Sequence, residues 1–169
     1  MSSVIDWYLS LDSQLVVTSP FGWRDLDGDG IDEDFHQGTD LAHLGGSPTG
    51  FPTPVPSLSE ITQVGWDPDG YGNFVRFWQV GADYHILIAH LDFVSVFQGE
   101  FVQAGKFVGG MGSTGNSTGN HWHIEVIDFN NTRLDGQTVP LYLPDKPPTP
   151  EREPLKIMLG RRFLPRRRK

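Results

Sequence analysis

The residues able to do chemistry in this 169-residue chain are a few histidines and one aspartate, in three places. His36-Gln37-Gly38-Thr39-Asp40 lies early, Ile88-Ala89-His90-Leu91 in the middle, and His121-Trp122-His123 late. Imidazole and carboxylate are preferred ligands for a divalent metal such as zinc, and three protein ligands plus a water make a catalytic site. If 120–127 is a strand, His121 and His123 face the same side, because side chains alternate with period two. One histidine can then bind metal while its neighbour reaches a substrate. Glu125 falls on the same face and reads as a supporting or wall residue, with no catalytic role assigned. His85 lies five residues before His90, so on a regular strand it faces the other way. His43 and His85 read as ordinary histidines. No Cys is present, which excludes a disulfide framework and a thiolate metal site.

The elements that must position these side chains are strands. Gln14–Thr18, Ile61–Trp66, Asn73–Val80, Tyr84–His90, Lys106–Gly110 and His121–Ile127 are rich in β-branched and aromatic residues, and turn residues separate them. Asp67-Pro68-Asp69-Gly70 predicts a turn and Val80–Tyr84 a hairpin connection. No segment sustains a helical period over a dozen residues. The fold expected is all-β: a single domain with a central antiparallel sheet, a catalytic groove and little helix. The expected organisation is an N-terminal segment at 1–18, the domain at 19–143, a Pro-rich linker at 144–154 and a basic tail at 155–169.

These pieces, taken in order, resemble the zinc-dependent peptidoglycan endopeptidases of the lysostaphin/LytM type. The resemblance runs from about Ser19 to Ile127. Ser19-Pro20-Phe21-Gly22-Trp23-Arg24 opens it, and Phe35–Ala42 matches the first ligand motif. Gly70–Val75 matches the glycine turn, 88–91 the central histidine motif, and 112–125 the closing loop with its His-x-His strand. The resemblance implies that His36, Asp40 and His123 bind zinc, with water in the fourth position. It implies that His90 and His121 are the catalytic pair, without dividing proton transfer from oxyanion stabilisation between them. The Glu base of His-Glu-x-x-His proteases is absent. Asn120 stands where Pro is common in the family, and only a small backbone effect is expected. The run 112–119 has the composition of a flexible loop, and its small residues also suit the wall of a peptide groove. Tyr71, Asn73 and Trp122 are further candidates for that groove.

Asp25, Asp27, Asp29 and Glu33 occupy positions 1, 3, 5 and 9 of a loop with Gly30 at position 6, the opening of an EF-hand-like calcium site. Position 12 is His36 rather than Glu, so the alternative is an acidic, solvated turn. Charge is segregated. Residues 151–169 carry +6 and the remaining 150 residues −14, giving the net −8. The body should repel nucleic acid. The tail could dock on an acidic partner such as a phage tail protein, adhere to anionic envelope polymers or lipid surfaces, or act as a solubilising end. No Sec signal is seen at the first residues and no apolar run is long enough to span a bilayer. The expected activity is cleavage of a stem or cross-bridge peptide bond in the bacterial cell wall. The expected setting is a phage lysin, released at host lysis or carried in the virion tail. The alternative is a non-catalytic structural or assembly module of a phage tail that keeps the zinc site.

Overall fold

The structure, a computed structural model, describes residues 2–25 and 27–144. The basic tail, and the linker beyond Pro144, lie outside the described residues. In chain order the elements are α1 (Val4–Leu9), β1 (Leu15–Ser19), β2 (Gly22–Arg24), β3 (Asp34–His36), β4 (Thr39–His43) and β5 (Pro52–Pro54). They continue with β6 (Ser59–Asp67), β7 (Gly72–Gln79), β8 (Tyr84–Leu91), β9 (Phe93–Val94), β10 (Phe101–Val102), β11 (Phe107–Gly110), β12 (Trp122–Asp128) and β13 (Arg133–Leu134). The six expected strands are all present, with ends moved by one or two residues. The all-β single domain with a central antiparallel sheet is borne out.

The main sheet runs β1-β4-β12-β8-β7-β6-β10, antiparallel throughout, with β13 folded back on β12. A three-stranded sheet, β5-β11-β9, and the β2-β3 hairpin complete it. Alternation along the central strands sorts side chains onto two faces. Val75, Phe77, Ile86, Ile88, Trp122, Ile124 and Val126 enter the main core. Phe74, Leu87, Ala89 and Ile127 form a smaller apolar cluster that Tyr71 covers. His123 and Glu125 share the face of Ile127.

Residues ahead of Ser19 belong to the core as well. Ser3 and Asp6 form a reciprocal cap, each side chain accepting the other's backbone N–H at 3.0 Å. Two otherwise unpaired amides are thereby satisfied, which lets a six-residue helix start without a longer periodic run. Val4, Ile5 and Tyr8 of α1 are fully buried, and the Tyr8 ring meets Trp122 edge-on at 5.7 Å. Among the described residues no helix is long and apolar enough to cross a membrane.

Candidate metal centre and active site

His36 ends β3, Gln37 and Gly38 turn the chain, and Asp40 returns on β4. β4 pairs with β12 so that Asp40 lies directly opposite His123. Two residues four apart and a third more than eighty away therefore converge. His123 Nδ1 is 2.8 Å from Asp40 Oδ1 and 3.1 Å from His36 Nε2, and His36 Nε2 is 3.2 Å from Asp40 Oδ1. These three residues form a group that could hold a metal ion.

The hydrogen bonds behind the three side chains fit such a group. His36 Nδ1 lies 2.8 Å from the carbonyl of Pro20, an acceptor only, so Nδ1 carries the proton and Nε2 a lone pair. His123 Nε2 lies 3.3 Å from Glu125 Oε1, which leaves Nδ1 as the nitrogen facing Asp40 and His36. Two imidazole nitrogens and a carboxylate oxygen thus point at one another, and a metal binding there would displace the second proton of His123. Their spacing is close to the edge of about 3.3 Å expected of a tetrahedron with ligands about 2 Å from zinc.

The electrostatics agree. Burial raises the pKa of Asp40, but hydrogen bonds and charge from His123 and His36 outweigh it and hold the carboxyl well below the usual range. Burial lowers the pKa of His123, but Asp40 and Glu125 outweigh that and push it up to about 9 without metal. Glu125 is raised by burial and lowered further by bonds from His123 and Tyr71 and by the charge of Arg133, so it stays ionised. Glu125 is 1% exposed, a buried carboxylate behind His123 rather than a residue of the open wall.

His90 and His121 join the cluster, their rings 4.7 Å apart. On a regular strand His90 would follow Ile86 and Ile88 into the core. Its φ of 59° instead turns the backbone out of the strand, and its ring lies 5.8 Å from that of His123. Its amide donates to the carbonyl of Tyr71 at 2.8 Å, and its Nδ1 donates to the carbonyl of Thr114 at 2.8 Å. His121 Nδ1 donates to the carbonyl of Gly119 at 2.8 Å, and its Nε2 lies 3.7 Å from Asp40 Oδ1. Both imidazoles therefore keep a free Nε2. Burial pushes the pKa of His90 down to about 4, against the opposing bond to Thr114.

The 112–119 loop does wall the cleft: Asn116, Ser117 and Thr118 line the hollow beside these histidines. It is held by close backbone packing. Gly115, at φ 71°, would place a Cβ 2.2 Å from the amide nitrogen of Gly72, so only glycine fits. Tyr71 lines the same hollow. Asn73 supports the wall, donating to the carbonyls of Leu91 and Asp92 at 3.0 and 3.2 Å. Trp122 corrects the expectation of a groove residue. It is fully buried, with its indole N–H on Thr53 Oγ1 at 2.7 Å, because alternation between His121 and His123 sends it to the core face.

Asn120 also does more than replace a proline. Its side-chain amide donates to Ser47 O at 3.1 Å and Thr49 Oγ1 at 2.8 Å, tying the residue before His121 to the 44–50 loop. His43 contacts Asp12 and Phe51, and His85 contacts Thr62 and Phe129.

Two arginines gain a role only in the fold, Arg24 from within the opening segment 19–24 and Arg133 from outside every motif. Arg24 lines the hollows on both sides of Asp40 and His121, and its guanidinium is held by Asp34 and by Ser19 Oγ. Arg133 reaches Glu125 from β13. The acidic loop is separate. Carboxylate oxygens of Asp25, Asp27, Asp29 and Glu33 lie within 4.8 Å of one another, all on exposed residues. The Asp25 carboxylate is held below its usual range by amides of Gly30 and Gly28. His36, at the loop's twelfth position, points to the His–Asp cluster and not to this loop.

Fold and site together define an antiparallel β-sheet domain with a histidine–aspartate centre in its groove. The sequence pattern of Peptidase family M23 matches residues 34–136, and the chain belongs to that family. Lysostaphin of Staphylococcus staphylolyticus is 32% identical over 108 residues, 61% of this chain and 21% of its own length. The chain thus spans about a fifth to a quarter of the curated relatives it matches. Among solved structures, the catalytic domain of the prophage-encoded M23 protein EnpA from Enterococcus faecalis, solved as a mutant, superposes with a TM-score of 0.64 at 31% identity. That match covers 75% of this chain and 92% of that one. A zinc-containing peptidase from Vibrio cholerae superposes with a TM-score of 0.63 at 28% identity, covering 75% of this chain and 37% of that one. The resemblance to the lysostaphin/LytM type is borne out.

Proposed function

We propose that the chain is a zinc endopeptidase that hydrolyses peptide bonds in the stem peptides or cross-bridges of peptidoglycan. The observation that carries the proposal is the convergence of His36 Nε2, His123 Nδ1 and Asp40 Oδ1 within 3.2 Å of one another, the spacing of three ligands around one ion. Bound there, zinc would polarise the scissile carbonyl and lower the pKa of a water to about 7. His90 and His121 flank the centre and act on protons. Each has its Nδ1 fixed to a backbone carbonyl and its Nε2 free to take a proton from the attacking water, return one to the leaving amine or donate to the developing oxyanion. The small residues of the 112–119 loop let a peptide backbone lie close to the centre.

Cell-wall zymography with purified protein tests the reading. Wild type should clear peptidoglycan and His121→Ala should not. No clearing by either, with zinc loaded, would sink the enzyme and leave the assembly module. Mass analysis of the released muropeptides names the bond.

The setting is proposed to be a phage lysin or virion tail hydrolase, a reading supported by the prophage origin of EnpA. Residues 155–169 would attach it to tail proteins or anionic envelope polymers. Deleting 151–169 should leave peptide cleavage intact and lower binding to particles or walls, and unchanged binding would remove the attachment role.

Calcium in the acidic loop is the remaining part of the reading, supported by the four converging carboxylates. It would order the segment that delivers His36. Millimolar calcium should then raise the melting temperature of zinc-loaded protein, and an unchanged value would dismiss it.

A further inference from the structure

We infer that Glu125, braced by Arg133 and Tyr71, is the positioning residue that decides which nitrogen of His123 faces the metal. The inference rests on the zinc reading above.

Both oxygens of Glu125 are engaged. Oε1 accepts the Tyr71 hydroxyl at 2.7 Å and lies 3.3 Å from His123 Nε2, while Oε2 accepts Arg133 Nε at 2.9 Å. Arg133 Nη2 also reaches the Tyr71 hydroxyl at 3.4 Å. A carboxylate this deeply buried persists only with a countercharge and satisfied lone pairs, and Arg133 and Tyr71 supply both. An ionised carboxylate can only accept. The proton between it and His123 must therefore sit on Nε2, and Nδ1 is the nitrogen turned to Asp40 and His36, the one that would give up its proton to a metal. The opposite tautomer would set an Nε2 lone pair against the carboxylate and an N–H into the ligand cluster.

The topology shows how the brace is delivered. β13 folds back so that Arg133 pairs with Ile127, and Asp128 closes the turn by accepting the amides of Asn130 and Thr132 at 2.9 and 2.8 Å. Tyr71 extends the brace across the cleft, since its carbonyl also receives the His90 amide. One tyrosine thus links the partner of a metal ligand to one of the flanking imidazoles.

The test compares the full chain with Glu125→Gln, Arg133→Gln and Tyr71→Phe. Zinc affinity is read by competition with a chromophoric chelator, and the ligand field by the visible spectrum of the cobalt-substituted protein. Far-UV circular dichroism of the metal-free forms checks folding. Glu125→Gln should bind zinc about 10- to 100-fold more weakly and shift the cobalt bands. Arg133→Gln and Tyr71→Phe should weaken binding in the same direction, by less. A folded Glu125→Gln with wild-type affinity and spectrum would overturn the inference. If Glu125→Gln does not fold, wild-type affinity in both other variants overturns it. Wild type that takes up no zinc removes the zinc reading and this inference together, whereas zinc-binding wild type with indifferent variants removes this inference alone.

Discussion

Gly38 lies so close to His123 that a β-carbon on it would stand 2.7 Å from the imidazole Cε1 and 2.7 Å from the carbonyl of Ile124. The glycine inside the His36–Asp40 motif is therefore part of the site: its bare backbone is the surface on which the His123 imidazole rests. Gly38→Ala should cost about 1–3 kcal/mol through overpacking against β12 and displace the imidazole. A shift of about 1 Å can cost about a hundredfold in rate. Urea unfolding and hydrolysis of a peptidoglycan peptide check both effects, and a variant with wild-type values would show that β12 yields freely.

Ligands and flanking imidazoles should separate experimentally. Asp40→Ala removes the carboxylate between His36 and His123 and should abolish stoichiometric zinc by elemental analysis. His90→Ala and His121→Ala should retain zinc yet lose about 10²- to 10⁴-fold in turnover, the range for losing a positioned proton-transfer group. Loss of zinc from either of the latter would move that histidine into the ligand set.

The buried His90 gives a signed dependence of stability on pH. Its pKa is about 4 in the fold and 6.5 in the unfolded chain. Between those values the unfolded chain takes up a proton that the fold refuses, so stability falls as pH falls through that window. His123 acts in another window: with its pKa raised to about 9, its contribution is lost as pH rises from 6.5 toward that value. Melting temperatures of metal-free protein from pH 7 to pH 4.5 should decline, and His90→Gln should flatten the decline. Coincident profiles would assign it elsewhere.

The sequence shows the long strands and the ligand types, because both are local patterns. Six strands carry β-branched and aromatic runs, and the histidine motifs keep their spacing. What it hides is set by pairing across the sheet. β4 is only five residues, Thr39–His43, and acquires its role by lying between β1 and β12. The turn at His90 follows a run that reads as uniform strand, and only its positive φ brings the ring to the cleft. Arg133 sits outside every motif and reaches Glu125 through a two-residue strand. The short helix α1 rests on one capping box, a signal too brief to register as helical period. Trp122, between two site histidines, faces the core because neighbours along a strand face opposite ways.

Trp122 supplies a prediction in which stability and activity part. Its side chain is fully buried against Tyr8 and Phe51. Trp122→Ala should lower unfolding free energy by about 3–5 kcal/mol. Trp122→Phe keeps much of the volume but leaves Thr53 Oγ1 without its donor, at about 1–3 kcal/mol. Well below its melting temperature, Trp122→Phe should still cleave peptide near the wild-type rate. A large fall in turnover with intact stability would return Trp122 to the groove.

The Asn120 tie predicts an order among three proteins. Asn120→Ala deletes two hydrogen bonds to the 44–50 loop, each contributing about 0.5–1.5 kcal/mol. Asn120→Pro deletes the same bonds but restricts the unfolded chain, which returns about 0.4–1 kcal/mol if the backbone accepts proline. Stability should therefore fall in the order wild type, Asn120→Pro, Asn120→Ala. Because the tie precedes His121 by one residue, loosening it should reduce turnover more than zinc affinity: His121 flanks the centre, while His36, Asp40 and His123 remain anchored in their own strands. Denaturant midpoints, chelator competition and peptide hydrolysis on the same preparations read all three quantities. Equal midpoints for wild type and Asn120→Ala would mean that water replaces the amide at no cost and that the closing loop holds its shape through Gly115 and Thr114 alone.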